Sequence, residues 1–376
     1  MFDDDAHEGE DIPPPPLSEE EFLRWRSPRF GDRNPTDLTN PLWDWMARTR
    51  HNAYVGNNAF NGPSPFDSGP MWCFDRFGCS GTHLPDGRLV HIAGEHEDHY
   101  DPDFCIYNDV VLAEADGRLR FLAYPKDVFP PTDFHSATLV GNRIIVIGNL
   151  GYPEHRRPGF TPVYALNLDT WAMQELHTQG EMPGWISRHQ AKPSTDGTRI
   201  LLSGGQVMDD AHQLWTNTHA WELELSTGTW RQATQQSWPQ WLFTRQDGKR
   251  SLLWDMRHAL WTQGVGWDKE LAEQMQHIEQ ELGFRPSLEL LHKLYRYAPD
   301  VLPLPETEDD DAGLRRFAVA GTPVCFKEDT FTVHVVAQGP LDAEQQRALE
   351  TGVSGQLAAL HGVPWVAQRY QAQDRL

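Results

Sequence analysis

The sequence predicts a mainly β fold with an α+β part: a partial β-propeller of four-stranded blades, followed by a small C-terminal α+β domain. Three observations predict it. A strand-like apolar run ending in Gly or Asn occurs three times, closed by Gly94, Asn149 and Gly205, which lie 55 and then 56 residues apart. A period near 50 is the signature of blades repeated around an axis. Beyond about residue 267 the apolar spacing changes from the period of a strand to the period of a helix. Three domains follow: an acidic, Pro-rich N-terminal strap (1–70), a blade region (71–262) and a C-terminal α+β domain (263–376).

Charge narrows the function. The 376 residues carry 32 Lys and Arg against 54 Asp and Glu, a net charge of −22. Nucleic-acid binding draws on a cationic surplus, and anionic lipid repels such a chain. A basic protein partner is the class this charge favours. Hydrophobic content of 39% with 15 Trp and 17 Phe is too aromatic for a disordered chain. Met1 to Asp11 holds acids and no Lys or Arg, unlike a secretory signal. No run of ~18 apolar residues is present, so a cytoplasmic protein is expected. Cys73, Cys79, Cys105 and Cys325 form no CxxC pair and are expected as free thiols.

In the strap, Pro13 to Pro16 reads as a polyproline stretch. Ser18 and Glu21 have capping-box spacing and predict a helix over 19–25. A second helix is expected over 41–50, with Trp43 and Met46 on one face; both should pack on the main domain.

The blades read in order. The first strands are Gly81 to Leu84, His135 to Leu139 and His189 to Ala191, which makes Ser80, His135 and His189 equivalent. The second strands carry Arg88, Arg143 and Arg199 in register. Third strands run from Asp109 to Glu114, Val163 to Leu168 and Ala220 to Leu225, and fourth strands from Arg118, Ala172 and Arg231. Two third strands lead to a tryptophan, Trp171 and Trp230. His-Ser near the first strand, Gly204-Gly205 closing a second and a spaced Trp after the third resemble the kelch repeat over about residues 71–235. Ala93-Gly94 and Gly148-Asn149 depart from its paired glycines. The resemblance implies four-stranded antiparallel blades with binding surfaces on the connecting loops.

Three blades do not close a propeller, which needs at least four. Trp72-Cys73-Phe74, or a hairpin made of Trp241-Leu242-Phe243, Asp247-Gly248 and Ser251 to Trp254, is a candidate to extend it. Alternatively the C-terminal domain covers the open edge. That domain reads as a helix over 268–282 ended by Gly283, a helix over 287–295 and an acidic linker over 299–312. After the linker come a strand over 314–319, a strand pair around 323–336, a helix over 342–360 and a strand over 364–370.

The densest polar cluster is the loop Glu95, His96, Glu97, Asp98, His99, Tyr100, Asp101, Pro102, Asp103. Its spacing matches no calcium loop and lacks the glycine of the sharp turn, so a partner-facing acidic loop is expected, with no metal. The loops Gly184 to Arg188 and Gly151 to Arg157 offer Trp185 and Arg188 as interface anchors. A copper oxidase on a kelch-like propeller would use His135, His189, Tyr107, Tyr152 and Tyr164. The equivalent placement of the two histidines favours a structural role instead. Arg76 near Cys73 and Cys79 would lower a thiol pKa, yet small core residues are the expected role of both cysteines. No GxSxG, Walker loop or GxGxxG stands in the sequence.

No catalytic residue and no cofactor are therefore expected. The favoured reading is a non-catalytic protein that captures a basic partner through Glu95, His96, Glu97, Asp98, His99, Asp101, Asp103, Trp185 and Arg188, without contacting nucleic acid or membrane. In general character the chain resembles an immunity protein of a secretion-system effector (type VI secretion-type), whose toxin would be a basic nuclease. The alternatives are a kelch-type copper enzyme and a scaffold with no toxin partner.

Overall fold

The structure, a computed structural model, describes residues 12–63, 69–97, 104–234, 236, 238–305 and 313–370. It is mainly β, with several antiparallel sheets and seven α-helices among the described residues: α1 (Glu19–Trp25), α2 (Pro41–Thr49), α3 (Ala53–Ala59), α4 (Leu253–Val265), α5 (Asp268–Leu282), α6 (Leu288–His292) and α7 (Ala343–His361). The chain divides into two compact units, residues 1–235 and 236–376, so the sequence boundary at 262 falls too late.

In the first unit each repeat is one antiparallel meander. Ser80–His83, Leu89–Ile92, Val110–Ala113 and Leu119–Ala123 are consecutive neighbours in the first sheet. Ser136–Val140, Arg143–Ile147, Val163–Asn167 and Met173–Glu175 make the second; Gln190–Pro193, Arg199–Ser203, Trp221–Glu224 and Thr229–Gln232 make the third. Thr36–Leu38 adds an outer strand to the first sheet, and Gln179–Gly180 a parallel one to the third. Val90, Ile145 and Leu201 therefore lie in three separate sheets.

The apolar runs are unbroken because the middle sheet is covered on both faces. Ile144 and Val146 pack with Val90, Ile92, Val110 and Leu112 of the first sheet. Their neighbours Ile145 and Ile147 pack with Ile200, Leu202 and Leu223 of the third. The free face of the first sheet, Val111 and Phe121, is covered by Phe22, Trp43, Met46 and Trp72 of the N-terminal segment. Ser18 and Glu21 form the expected capping box of α1.

Strand register corrects one equivalence. Ser80 pairs with Ile92, Ser136 with Ile147 and Gln190 with Ser203. Ser80 thus matches Ser136 and Gln190, and it is Cys79 that matches His135 and His189. The sequence alignment was one residue out because it aligned hydroxyl and imidazole by type, without the cross-strand pairing that defines the position.

The second unit is a six-stranded sheet in the order Val301–Pro303, Leu314–Val319, Thr322–Glu328, Thr332–Ala337, Gln240–Arg245, Trp365–Arg369, antiparallel throughout. Trp241 and Phe243 sit in its core with Met256, Met275, Ile278, Val353 and Leu357. They belong to this sheet and not to a further blade. Ser251 to Trp254 is not a hairpin strand either; it leads into α4, which buries Leu253, Met256, Ala259 and Thr262 at helical spacing. A four-residue apolar run between turn residues has no period long enough to separate strand from helix. Part of the expected 299–312 linker is ordered, since Val301–Pro303 pairs with 314–319 as an edge strand.

Candidate functional site

In the first unit, the chain enters each sheet through a left-handed residue. The equivalent positions are Gly78 (φ 62°), Phe134 (φ 47°) and Arg188 (φ 58°). Their backbones are linked: Phe134 N–H donates to Gly78 O at 2.8 Å, and Arg188 N–H to Phe134 O at 2.8 Å. A side chain at position 78 would collide with Phe134, so glycine is required there. At the other two positions the strain, about 1–3 kcal/mol each, is held by the stack itself. The Arg188 guanidinium lies 3.6 Å from the Phe134 ring centroid.

The following residues repeat a second link. His135 Nε2 is 2.8 Å from Ser80 Oγ, and His189 Nε2 is 2.8 Å from Ser136 Oγ. Each histidine joins its sheet to the preceding one. Burial pulls His135 down to about 4 and His189 to about 3, so both are neutral at pH 7.

Beside this stack sits a carboxyl pair. Asp133 is fully buried. Its N–H donates to Asn149 Oδ1 at 2.9 Å, and its Oδ1 accepts from Gly151 N–H at 2.6 Å. Glu95, in the short strand Glu95–His96 paired with Cys105–Ile106, is half-buried. Burial first, then the charge and hydrogen-bonding of Asp133, push its carboxyl up to about 7. Burial also raises Asp133, although Gly151 N–H, Glu95, Arg156 and Arg188 draw it back. The charge of Arg188, which is exposed, lowers both carboxyls.

The structure places the expected contact residues unevenly. Glu97 is exposed, but His96 is buried and Glu95 is engaged with Asp133. Asp98, His99, Asp101 and Asp103 lie outside the described residues. Trp185 is only 4% exposed and donates its Nε1–H to Leu150 O at 3.0 Å. It is packing and not an anchor, because so little of the ring reaches solvent. Arg188 stays accessible. Asp133 escaped the sequence reading, since a lone Asp after Pro130, Pro131 and Thr132 looks like turn punctuation.

The remaining candidates have structural work. Tyr107 OH accepts from Cys73 N–H, Tyr152 OH from Ile106 N–H, and Tyr164 packs edge-on against Phe129. Burial raises the Cys79 thiol in spite of Arg76. That arginine is committed elsewhere: it pairs with buried Asp109 (Nη2–Oδ2 3.1 Å) over the Tyr107 ring, and Trp72 Nε1–H donates to the same carboxylate at 2.7 Å. No group of three or more His, Cys, Asp or Glu among the described residues is placed to hold a metal ion. An open cleft along the outer edge of the first sheet is lined by Pro13, Asp37, Asp44, Arg48 and Arg120. Arg48 pairs with Asp44 and Arg120 with Asp37.

No family model and no curated protein matches the chain. Among solved structures, one titled "Structure of YjhT" is similar over 45% of this chain and 54% of that one, at 13% identity and a TM-score of 0.32. The match therefore spans about half of that chain. No described helix is long and apolar enough to cross a membrane.

Proposed function

We propose that this chain is an acidic, kelch-like binding protein that captures a basic protein partner in the cytoplasm, in the manner of an immunity protein that neutralises a nuclease-type toxin. The three consecutive four-stranded antiparallel meanders, one in each of three sheets, support an open kelch-like propeller as its scaffold. The observation that carries the binding reading is how the charge is distributed. Many arginines are already committed to the protein's own carboxylates, among them Arg76, Arg199, Arg245 and Arg257. The surplus carboxylates face water. On α5, Asp268, Glu270, Glu273 and Glu281 are exposed, against Lys269, which pairs with Glu273. Such a surface lowers its own repulsion by meeting a cationic partner and speeds the encounter.

The test is association kinetics with the purified basic protein encoded beside this one, since immunity proteins are encoded next to their toxins. The expected result is a fast association rate that falls as salt rises, together with loss of the partner's activity in the complex. No binding, or association that strengthens with salt, would remove the proposal.

A further inference from the structure

Helix α4 carries apolar residues on two faces. One face is buried in the sheet unit. The other presents Trp254, 72% exposed, and Trp261, 52% exposed, with His258 between them and Trp267, 51% exposed, where the chain turns into α5. Positions 254, 258 and 261 have the i, i+4, i+7 spacing of one helix face. The rings form a continuous row: Trp254 to His258 is 5.3 Å between centroids, His258 to Trp261 is 5.8 Å and stacked, and Trp261 to Trp267 is 5.3 Å and edge-on. Exposed aromatic surface of this extent marks an interaction site.

Charge beside the row says what covers it. Gln274 of α5 is 3.4 Å from His258 Nδ1 and donates to Glu270 at 3.3 Å, which ties the row to the acidic face of α5. The nearby cations are neutralised within the unit: Arg250 by Asp255, Arg257 by Glu328, Lys269 by Glu273. The site is thus a strip of indole faces beside the exposed carboxylates Asp268 and Glu270 at the start of α5. Arg and Lys side chains suit both features, stacking their cations on the rings and placing their charge by the acids. A second copy of this chain fits poorly, because a two-fold contact sets the same patch against itself and would bring α5 carboxylates together. A neutral ligand gains nothing from the acids.

We infer that the α4–α5 tryptophan row is a docking surface for a basic peptide segment that alternates cationic and aliphatic side chains. The inference rests on the proposed capture of a basic partner and says where on this chain that capture takes place.

The test uses the full chain labelled with 5-fluorotryptophan and a short synthetic peptide alternating Arg and Leu, with the same peptide carrying Glu for Arg as control. The fluorine signals of Trp254, Trp261 and Trp267, assigned by single Trp→Phe variants, should shift on titration with the Arg peptide and stay still with the Glu peptide. Trp254→Ala/Trp261→Ala, checked for an unchanged unfolding midpoint, should bind the Arg peptide at least about tenfold more weakly. Should that variant fail to fold, Asp268→Asn/Glu270→Gln supplies the second arm, with a shallower salt dependence expected. Unmoved indole signals, equal binding of the Glu peptide, or undiminished affinity in the double Trp variant would overturn the inference. So would a dimer in light scattering that the double Trp variant abolishes, which would assign the row to a second copy. A neighbouring basic protein that binds wild type and double Trp variant alike would leave the proposed function standing and remove only this surface.

Discussion

Two regions of the molecule reverse the usual rule of burial in opposite directions. Around the first sheet, charge is turned inward: Asp109 with Arg76, and Asp133 with Glu95. At the α4–α5 corner, aromatic rings are turned outward: Trp254, Trp261 and Trp267. Charged residues are almost never fully buried unless paired, and a large apolar patch is seldom left exposed on a folded surface. The difference teaches which exception serves what. Inward charge is held by designated partners, and its loss is felt by the fold. The outward rings hold nothing in place, and their loss is felt by whatever binds them.

The largest expected effect is on the inward side. Asp109→Ala leaves Arg76 charged and unpaired between the Trp72 and Tyr107 rings. Removing one partner of a buried pair costs about 3–5 kcal/mol, and urea unfolding should record a loss of that size. Trp230→Ala, at a ring 1% exposed in the core between the second and third sheets, belongs to the same range of about 3–5 kcal/mol.

Next come the two histidines that join the sheets. Their folded pKa values, about 4 for His135 and about 3 for His189, lie below the ordinary 6.5. Below pH 6.5 the unfolded chain therefore binds protons that the folded chain does not, and stability falls as pH falls. From pH 6.5 to 5 this amounts to about 2 kcal/mol per histidine. His189→Gln keeps a hydrogen-bonding group opposite Ser136 without a titration, and should flatten the fall in urea midpoints measured at the two pH values.

Glu95 has the opposite sign. Its folded pKa of about 7 lies above the ordinary 4.5, so the folded state holds a proton that the unfolded chain releases, and stability falls as pH rises from 4.5 to 7. Glu95→Gln should stabilise the protein at pH 8 by no more than about 1 kcal/mol, because solvent reaches this half-buried group and screens it. A destabilised Gln variant at pH 8 would mean that Asp133 needs the Glu95 carboxylate itself. The smallest effect on stability should come from Trp254→Ala, within about 0.5 kcal/mol, as for exposed positions away from caps and networks.

How much of this was legible in the sequence follows from the same contrast. The three sheets were, because Ile144–Ile147 and its two counterparts repeat at one spacing, and the middle run is apolar throughout because it is buried on both faces. Helix α5 was legible to the residue, since Leu271, Met275, Ile278 and Leu282 keep one face and Gly283 stops it. Helix α4 was not: with Trp254 and Trp261 outside and Leu253 and Met256 inside, it has no single apolar stripe, so its first turn read as a strand. In the site, the acidic loop was visible as composition, but the buried Asp133 that captures Glu95 comes from another loop, and no local pattern announces a contact of that kind. Trp185 reads as an interface anchor in the sequence and Trp254 as part of a hairpin strand; the fold buries the first and leaves the second facing solvent.

The most direct test measures unfolding free energy and affinity for the Arg–Leu peptide side by side in two variants, Asp109→Asn and Trp254→Ala/Trp261→Ala. The account predicts a crossed pattern. The Asp variant loses stability and, under conditions where it is folded, keeps its affinity; the Trp variant keeps its stability and loses at least about tenfold in affinity. A Trp variant that loses stability while binding as wild type does would contradict it, because the outward rings would then belong to the fold and not to a partner.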